Sequence, residues 1–180
     1  MKKPNLNQVS ITLSVAAIII ALLALFPVTV QAGGYGGLSY DRIDYDESGL
    51  DLAFSTYTFI AGSEFNDYVS AEFRYGNGNS DDSAYGADIE IDRYMGLYTM
   101  FTLPLFDEVE PYGVVGYTRG KMSVSGPYGS ASETEGDPSY GFGVKYNVSE
   151  RLKIRGEWMR LMDGSDYHID SLSAAIIYHL

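Results

Sequence analysis

In the stretch SYGFGVKYNV, residues 139–148, every second residue is aromatic or aliphatic: Tyr140, Phe142, Val144, Tyr146 and Val148. Between them stand Ser139, Gly141, Gly143, Lys145 and Asn147, all small or polar. A period of two marks an extended strand whose two faces differ in polarity, because successive side chains of a strand project to opposite sides. Two architectures use such a strand. A soluble sheet turns its apolar face to a core; a transmembrane barrel turns it to lipid and keeps the polar face for a lumen.

The alternation recurs through most of the chain. It predicts eight strands, over residues 35–43, 50–62, 68–76, 92–103, 110–122, 139–148, 151–161 and 170–180. Leu50, Leu52 and Phe54 form one apolar row, and Val69, Ala71, Phe73 and Tyr75 a second. Others are Met95, Leu97, Phe101 and Leu103, then Leu152, Ile154 and Trp158. The facing of 110–122 is left open by its composition. Each stretch has about the ten residues that a tilted strand needs to cross a bilayer, and an even count suits a closed antiparallel barrel. Connections alternate between short (63–67, 104–109, 147–150) and long and polar (41–49, 76–88, 123–138, 162–170), the asymmetry of periplasmic turns and outer loops.

Charges in mid-strand decide between the two architectures. Glu72 and Arg74 share the polar face of one strand, and Lys153, Arg155 and Glu157 that of another. Unpaired in an apolar interior they would be prohibitively costly, whereas a barrel of eight strands is narrow enough for opposite charges to meet across its lumen. The fold expected is therefore an eight-stranded, up-and-down antiparallel transmembrane β-barrel, with Tyr140, Phe142, Val144 and Tyr146 toward lipid. At least one acid–base pair is expected to join the two charged strands, directly or through Lys153. A small polar residue in place of Gly143, on the lumen face, is expected to be tolerated. Tyr75, Tyr140 and Trp158 are expected in an outer aromatic belt, and Phe101, Tyr146 and Tyr178 in an inner one.

The amino terminus assigns the compartment. MKKPNLNQ carries two lysines; an apolar run follows, Pro27 breaks it, and Val30 and Ala32 are small residues at the −3 and −1 positions of a cleavage site. That order reads as a secretory signal peptide over 1–32, cut between Ala32 and Gly33, leaving one domain of residues 33–180. Without Lys2 and Lys3 the domain holds 10 basic against 24 acidic residues, a net charge of −14. Nucleic acid is excluded as a partner on that balance. No cysteine is present, which excludes disulfides, thiolate metal sites and thiol catalysis. Twenty glycines and sixteen tyrosines suit a small barrel with aromatic girdles.

The last strand carries apolar residues at Leu172, Ala174, Ile176, Tyr178 and Leu180, in twos back from the carboxyl end. This resembles the C-terminal targeting strand of bacterial outer-membrane proteins, in which the final residue is usually aromatic; here it is Leu180. EFNDYVSAEFRYG (64–76) is similar to a turn and strand of the outer-membrane protein β-barrel domain family, the eight-stranded group that includes the OmpA- and OmpX-type barrels. The resemblance covers residues 33–180. It implies a place in the outer membrane of a Gram-negative bacterium, with membrane lipid, lipopolysaccharide and the barrel-assembly machinery as partners. It implies little about activity, because one fold carries many functions.

Motifs for chemistry are weak. YHIDS (167–171) sets His168 beside Asp170 and Ser171, but residues two apart share a strand face and Ser171 points the other way, so a hydrolytic triad does not assemble. His179 falls on the polar face as a lumen-lining residue. DYDESG (44–49) starts like a calcium loop, yet Ser55 stands where the bidentate Glu belongs. GNGNSD (76–81) lacks the third glycine and the helix of a nucleotide loop, and NVS (147–149) sits in a tight turn. No catalytic residue, cofactor or metal site is assigned. The clustered acids Asp81, Asp82, Glu133, Glu135, Asp137, Asp163 and Asp166 are suited to loose divalent-cation contacts. The expected function is that of a monomeric, non-enzymatic envelope or surface-contact protein acting through acidic outer loops, with a possible surface ligand bound there. A narrow ion or small-solute pore is the alternative, and a lipid A-modifying enzyme a more distant one.

Overall fold

The structure, a computed structural model, describes residues 33–47, 50–78, 81–84, 87–126, 129–164 and 167–180. The expected signal segment 1–32, with Ala32, lies outside the described residues, as do Ser48, Gly49 and Asp166. Among the described residues there are nine strands and no helix: β1 Gly33–Glu47, β2 Leu50–Asn66, β3 Val69–Gly78, β4 Asp81–Ala84, β5 Ala87–Thr102, β6 Val109–Gly126, β7 Gly129–Asn147, β8 Leu152–Asp163 and β9 Tyr167–His179. Each pairs antiparallel with its neighbours. Pairing of β1 with β9 and of β3 with β5 closes eight of them into a barrel, as the alternation predicts. The short β4 follows β3 and pairs with the upper part of β5.

At the lower end the chain turns tightly. The Asn66 carboxamide oxygen accepts the N–H groups of Tyr68 and Val69, both at 2.9 Å, a side chain standing in for a turn's backbone acceptor. Ser149 Oγ accepts the Leu152 N–H at 3.1 Å between β7 and β8. The upper end departs from expectation. The segments read as long loops are largely strand: β1 runs to Glu47, β6 to Gly126, β7 starts at Gly129 and β8 reaches Asp163. Ladder bonding between β6 and β7 holds these polar residues in a paired ribbon.

Every barrel strand turns a large apolar side chain outward: Leu38, Phe59, Phe73, Leu97, Val115, Phe142, Ile154 and Ile176, with Phe142 63% exposed. A continuous apolar girdle of this kind has no place on a soluble protein. The open facing of 110–122 is resolved, since Tyr112, Val114 and Thr118 are buried within the barrel. One facing is reversed. Leu52 and Phe54 point inward, where Phe54 is 1% exposed, while Tyr57 and Phe59 face out. The cause is an apolar layer closing the upper lumen, in which Ile43, Leu52, Phe54, Met162 and Ile169 pack together. A smaller cluster of Tyr35, Ile60, Ala175 and Ile177 packs in the lower lumen.

Candidate functional site: the lumen of the barrel

Alternation aims Glu72 and Arg74 of β3 and Arg155 and Glu157 of β8 into the same space, and all four side chains are buried. In the closed ring β3 and β8 stand opposite each other, so their side chains meet over the axis. Arg74 holds Glu157 with two bonds, Nη1 to Oε1 at 2.5 Å and Nη2 to Oε2 at 3.0 Å, and its Nε donates to Glu72 Oε2 at 2.8 Å. Arg155 Nη1 donates to Glu72 Oε1 at 2.6 Å. Hydroxyls add two further bonds, Tyr35 donating to Glu72 at 2.9 Å and Tyr112 to Glu157 at 2.7 Å. The Tyr98 ring lies 4.6 Å beneath the Arg74 guanidinium. Bidentate, charge-assisted bonds with every carboxylate oxygen engaged are what a buried ion pair needs in order to offset its desolvation.

Lys153 does not join this group. Its ammonium lies lower, 3.2 Å from Glu110 and 4.0 Å from Glu64, in the mouth of the barrel. His179 lines the same mouth, 3.6 Å from Glu64 and with its ring 5.1 Å from that of Tyr35. Gly143 gives no room for a side chain: a Cβ there would lie 2.5 Å from the Gly156 carbonyl oxygen and against the Tyr112 hydroxyl, so the expected tolerance of Ser is corrected.

Two polar clusters escaped the sequence reading. Asp41, placed there in an outer loop, is buried in the upper lumen with no cation at hand among the described residues. Ser39, Thr58 and Tyr94 donate hydroxyl bonds to it at 2.6, 2.5 and 2.7 Å, and Thr56 a longer one at 3.3 Å. The signal was present in the period-two row Tyr35, Gly37, Ser39, Asp41. A hydroxyl chain of Tyr98, Thr118 and Ser139, with 2.6 Å steps, ends on the Leu161 carbonyl at 2.8 Å and ties β5 to β8.

A lumen filled by polar side chains inside an apolar girdle agrees with the family comparison, in which the model for the outer membrane protein beta-barrel domain matches residues 13–179. The chain belongs to the outer membrane β-barrel domain family. Among solved structures, this family member resembles Ail, the attachment invasion locus protein of Yersinia pestis, at 17% identity and a TM-score of 0.65, over 84% of this chain and 100% of Ail. It resembles Neisserial surface protein A at 14% identity and 0.68, over 82% and 97%. The N-terminal barrel of Pseudomonas aeruginosa OprF aligns at 12% and 0.58, over 82% and 100%. No curated protein sequence matches it significantly. At such identities the likeness is one of fold.

The outward face of this outer-membrane barrel carries clustered aromatic side chains. Tyr140 and Phe142 pack against Trp158 with ring centroids 6.5 and 5.4 Å apart, and the Arg160 guanidinium sits 6.0 Å over the same Trp. Just above, Arg160 clasps Asp170 at 2.8 and 3.1 Å, and Arg42 meets Asp44 at 3.0 Å. His168 lies 3.8 Å from Asp46 on the outward face, whereas Ser171 is buried inside. Higher up, Lys121 of β6 bonds Asp92 of β5 at 2.6 Å; with Ser123 also donating, it holds that carboxyl below the usual carboxylate range.

Proposed function

We propose that this barrel is a non-conducting, non-enzymatic anchor in the outer membrane of a Gram-negative bacterium, presenting an acidic surface for envelope or surface contacts. The observation that carries the reading is the division of charge along the barrel. The described residues of the upper-end segments (42–51, 81–93, 119–137 and 160–170) hold fourteen acidic and five basic residues, a net of −9, while the central lumen pairs its charges on the axis. Against a pore stand the apolar layer around Phe54 and the ion pairs below it, which lie across the axis among the described residues. Against a hydrolase stands Ser171, which faces the lumen while His168 and Asp170 face out.

Ail has been solved with the heparin analogue sucrose octasulfate. A polyanion of that kind is a poor match for an acidic end; cationic ligands, or divalent cations shared with lipopolysaccharide phosphates, suit it better. We further assign residues 1–32 to a cleaved signal peptide, the outward row Leu172, Ala174, Ile176, Tyr178 and Leu180 to recognition by the barrel-assembly machinery, and the monomer as the working state. Planar-bilayer recording of the purified protein tests the central claim. No discrete conductance steps are expected, and steady openings of the unmodified protein would overturn it. N-terminal sequencing should read from Gly33.

A further inference from the structure

At the lower mouth a cavity of about 170 Å³ opens between the ends of β2, β3, β5, β6, β7 and β8. On the volume scale where one water needs about 10–15 Å³, it takes a small organic molecule. Its walls are polar and their charges are sorted by depth. Deepest is Lys145, 7% exposed, whose ammonium donates to Thr102 Oγ1 at 2.9 Å and lies 5.5 Å from the Tyr112 ring. Among the described residues no carboxylate comes within 4 Å of it; Glu64 and Glu110, which line the same mouth, act on it from farther off. Ser70 lines the same cavity; its hydroxyl is buried and makes no hydrogen bond of ordinary geometry. At depth the Lys145 ammonium thus has N–H donors beyond the one given to Thr102, and the Ser70 hydroxyl lies beside that of Tyr35. Toward solvent the sign changes: Glu64, Asp67 and Glu110 surround one cation, Lys153.

We propose that this vestibule binds a small zwitterion of amino-acid type, its carboxylate on Lys145 Nζ and Ser70 Oγ and its ammonium among Glu64 and Glu110. A simple anion would be attracted by Lys145 but must pass three carboxylates, and a simple cation would stop at the mouth. Only a molecule carrying both charges meets complementary groups at each depth. The site faces the periplasmic side, opposite the acidic end, so it goes beyond the function proposed above and stands or falls separately from it.

The test is NMR titration of the protein in detergent micelles, with β-alanine, acetate and ethylammonium as separate probes. β-Alanine should give saturable shifts at Ser70, Thr102 and Lys145, and the two singly charged probes should bind weaker by about tenfold each, the scale of one lost charge-assisted hydrogen bond. Lys145→Gln should abolish the response at Ser70, and Glu110→Gln should weaken it. The probe comparison in the unmodified protein needs no variant to fold. Acetate binding as tightly as β-alanine, or no saturable shift with any probe, would overturn the proposal.

Discussion

Arg74 and Glu157, 83 positions apart in sequence, meet over the barrel axis through two near-parallel N–H···O bonds of 2.5 and 3.0 Å. The pair ties opposite walls of the barrel together, and both members are buried. Removing one partner of such a pair leaves an uncompensated charge, at a cost of about 3–5 kcal/mol. Glu157→Gln should therefore lower the urea midpoint of the protein in lipid vesicles. Arg74→Met combined with Glu157→Met should recover part of the loss, since a packed apolar pair needs no desolvation. A single variant as stable as the parent would show that the pair is dispensable.

Facing can be read from three substitutions within β7 and β8. Phe142→Arg places a charge on the lipid side, at about 2–4 kcal/mol near the bilayer midplane. Gly143→Ala drives a methyl group into the Gly156 carbonyl and the Tyr112 ring and should also destabilise strongly. Gly156→Ala meets nothing within 4 Å and should be neutral or gain about 0.4–1 kcal/mol by restricting the unfolded chain. Equal tolerance of all three, measured by folding yield into vesicles, would contradict the assigned faces.

Asp41 depends on hydroxyls alone among the described residues. Tyr94→Phe removes one donor to its carboxylate and should cost about 1.5–3 kcal/mol, the range for hydrogen bonds to charged groups. Asp41→Asn in the same background should restore part of that loss, because a neutral amide has less need of donors. Chemical denaturation of the two variants supplies the comparison.

Asp92 offers a titration. Its carboxyl lies below the usual range because Lys121 bonds the charged form. A lowered folded value means that the contact stabilises the ribbon above the ordinary carboxylate range and is lost as pH falls through the lowered value. Carbon-detected NMR of Asp92 should show this directly, and Lys121→Met should return the midpoint upward. An unchanged midpoint would remove Lys121 as the cause.

The barrel and most of its facing were legible because lipid demands an unbroken apolar row, as in Tyr140, Phe142, Val144 and Tyr146. The limits of that reading are equally physical. Leu52 and Phe54 mimic a lipid-facing row, yet they cap the lumen, where apolarity serves closure instead. Residues 123–138 look like loop by composition, since serine, glycine and glutamate suit a solvated ribbon as well as a turn. The Arg74–Glu157 partnership follows from counting strands around a ring, whereas the place of Lys153 depends on depth along the axis, which alternation does not encode. Asp41 went unnoticed because hydroxyl partners leave no charge pattern.

The seam between β1 and β9 joins the two ends of the domain over thirteen residue pairs, from Tyr35 with His179 to Glu47 with Tyr167. Every other pairing in the ring links strands that are neighbours in the chain or nearly so, and can zip locally. The seam cannot begin until the last residues exist, and it carries the largest loop-closure entropy in the molecule. Until then β1 and β9 are two open edges, each a template for another strand. The slow and hazardous moment in this protein's life is accordingly its last: whatever shields those edges before Tyr35 finds His179 determines how much of the chain reaches the membrane.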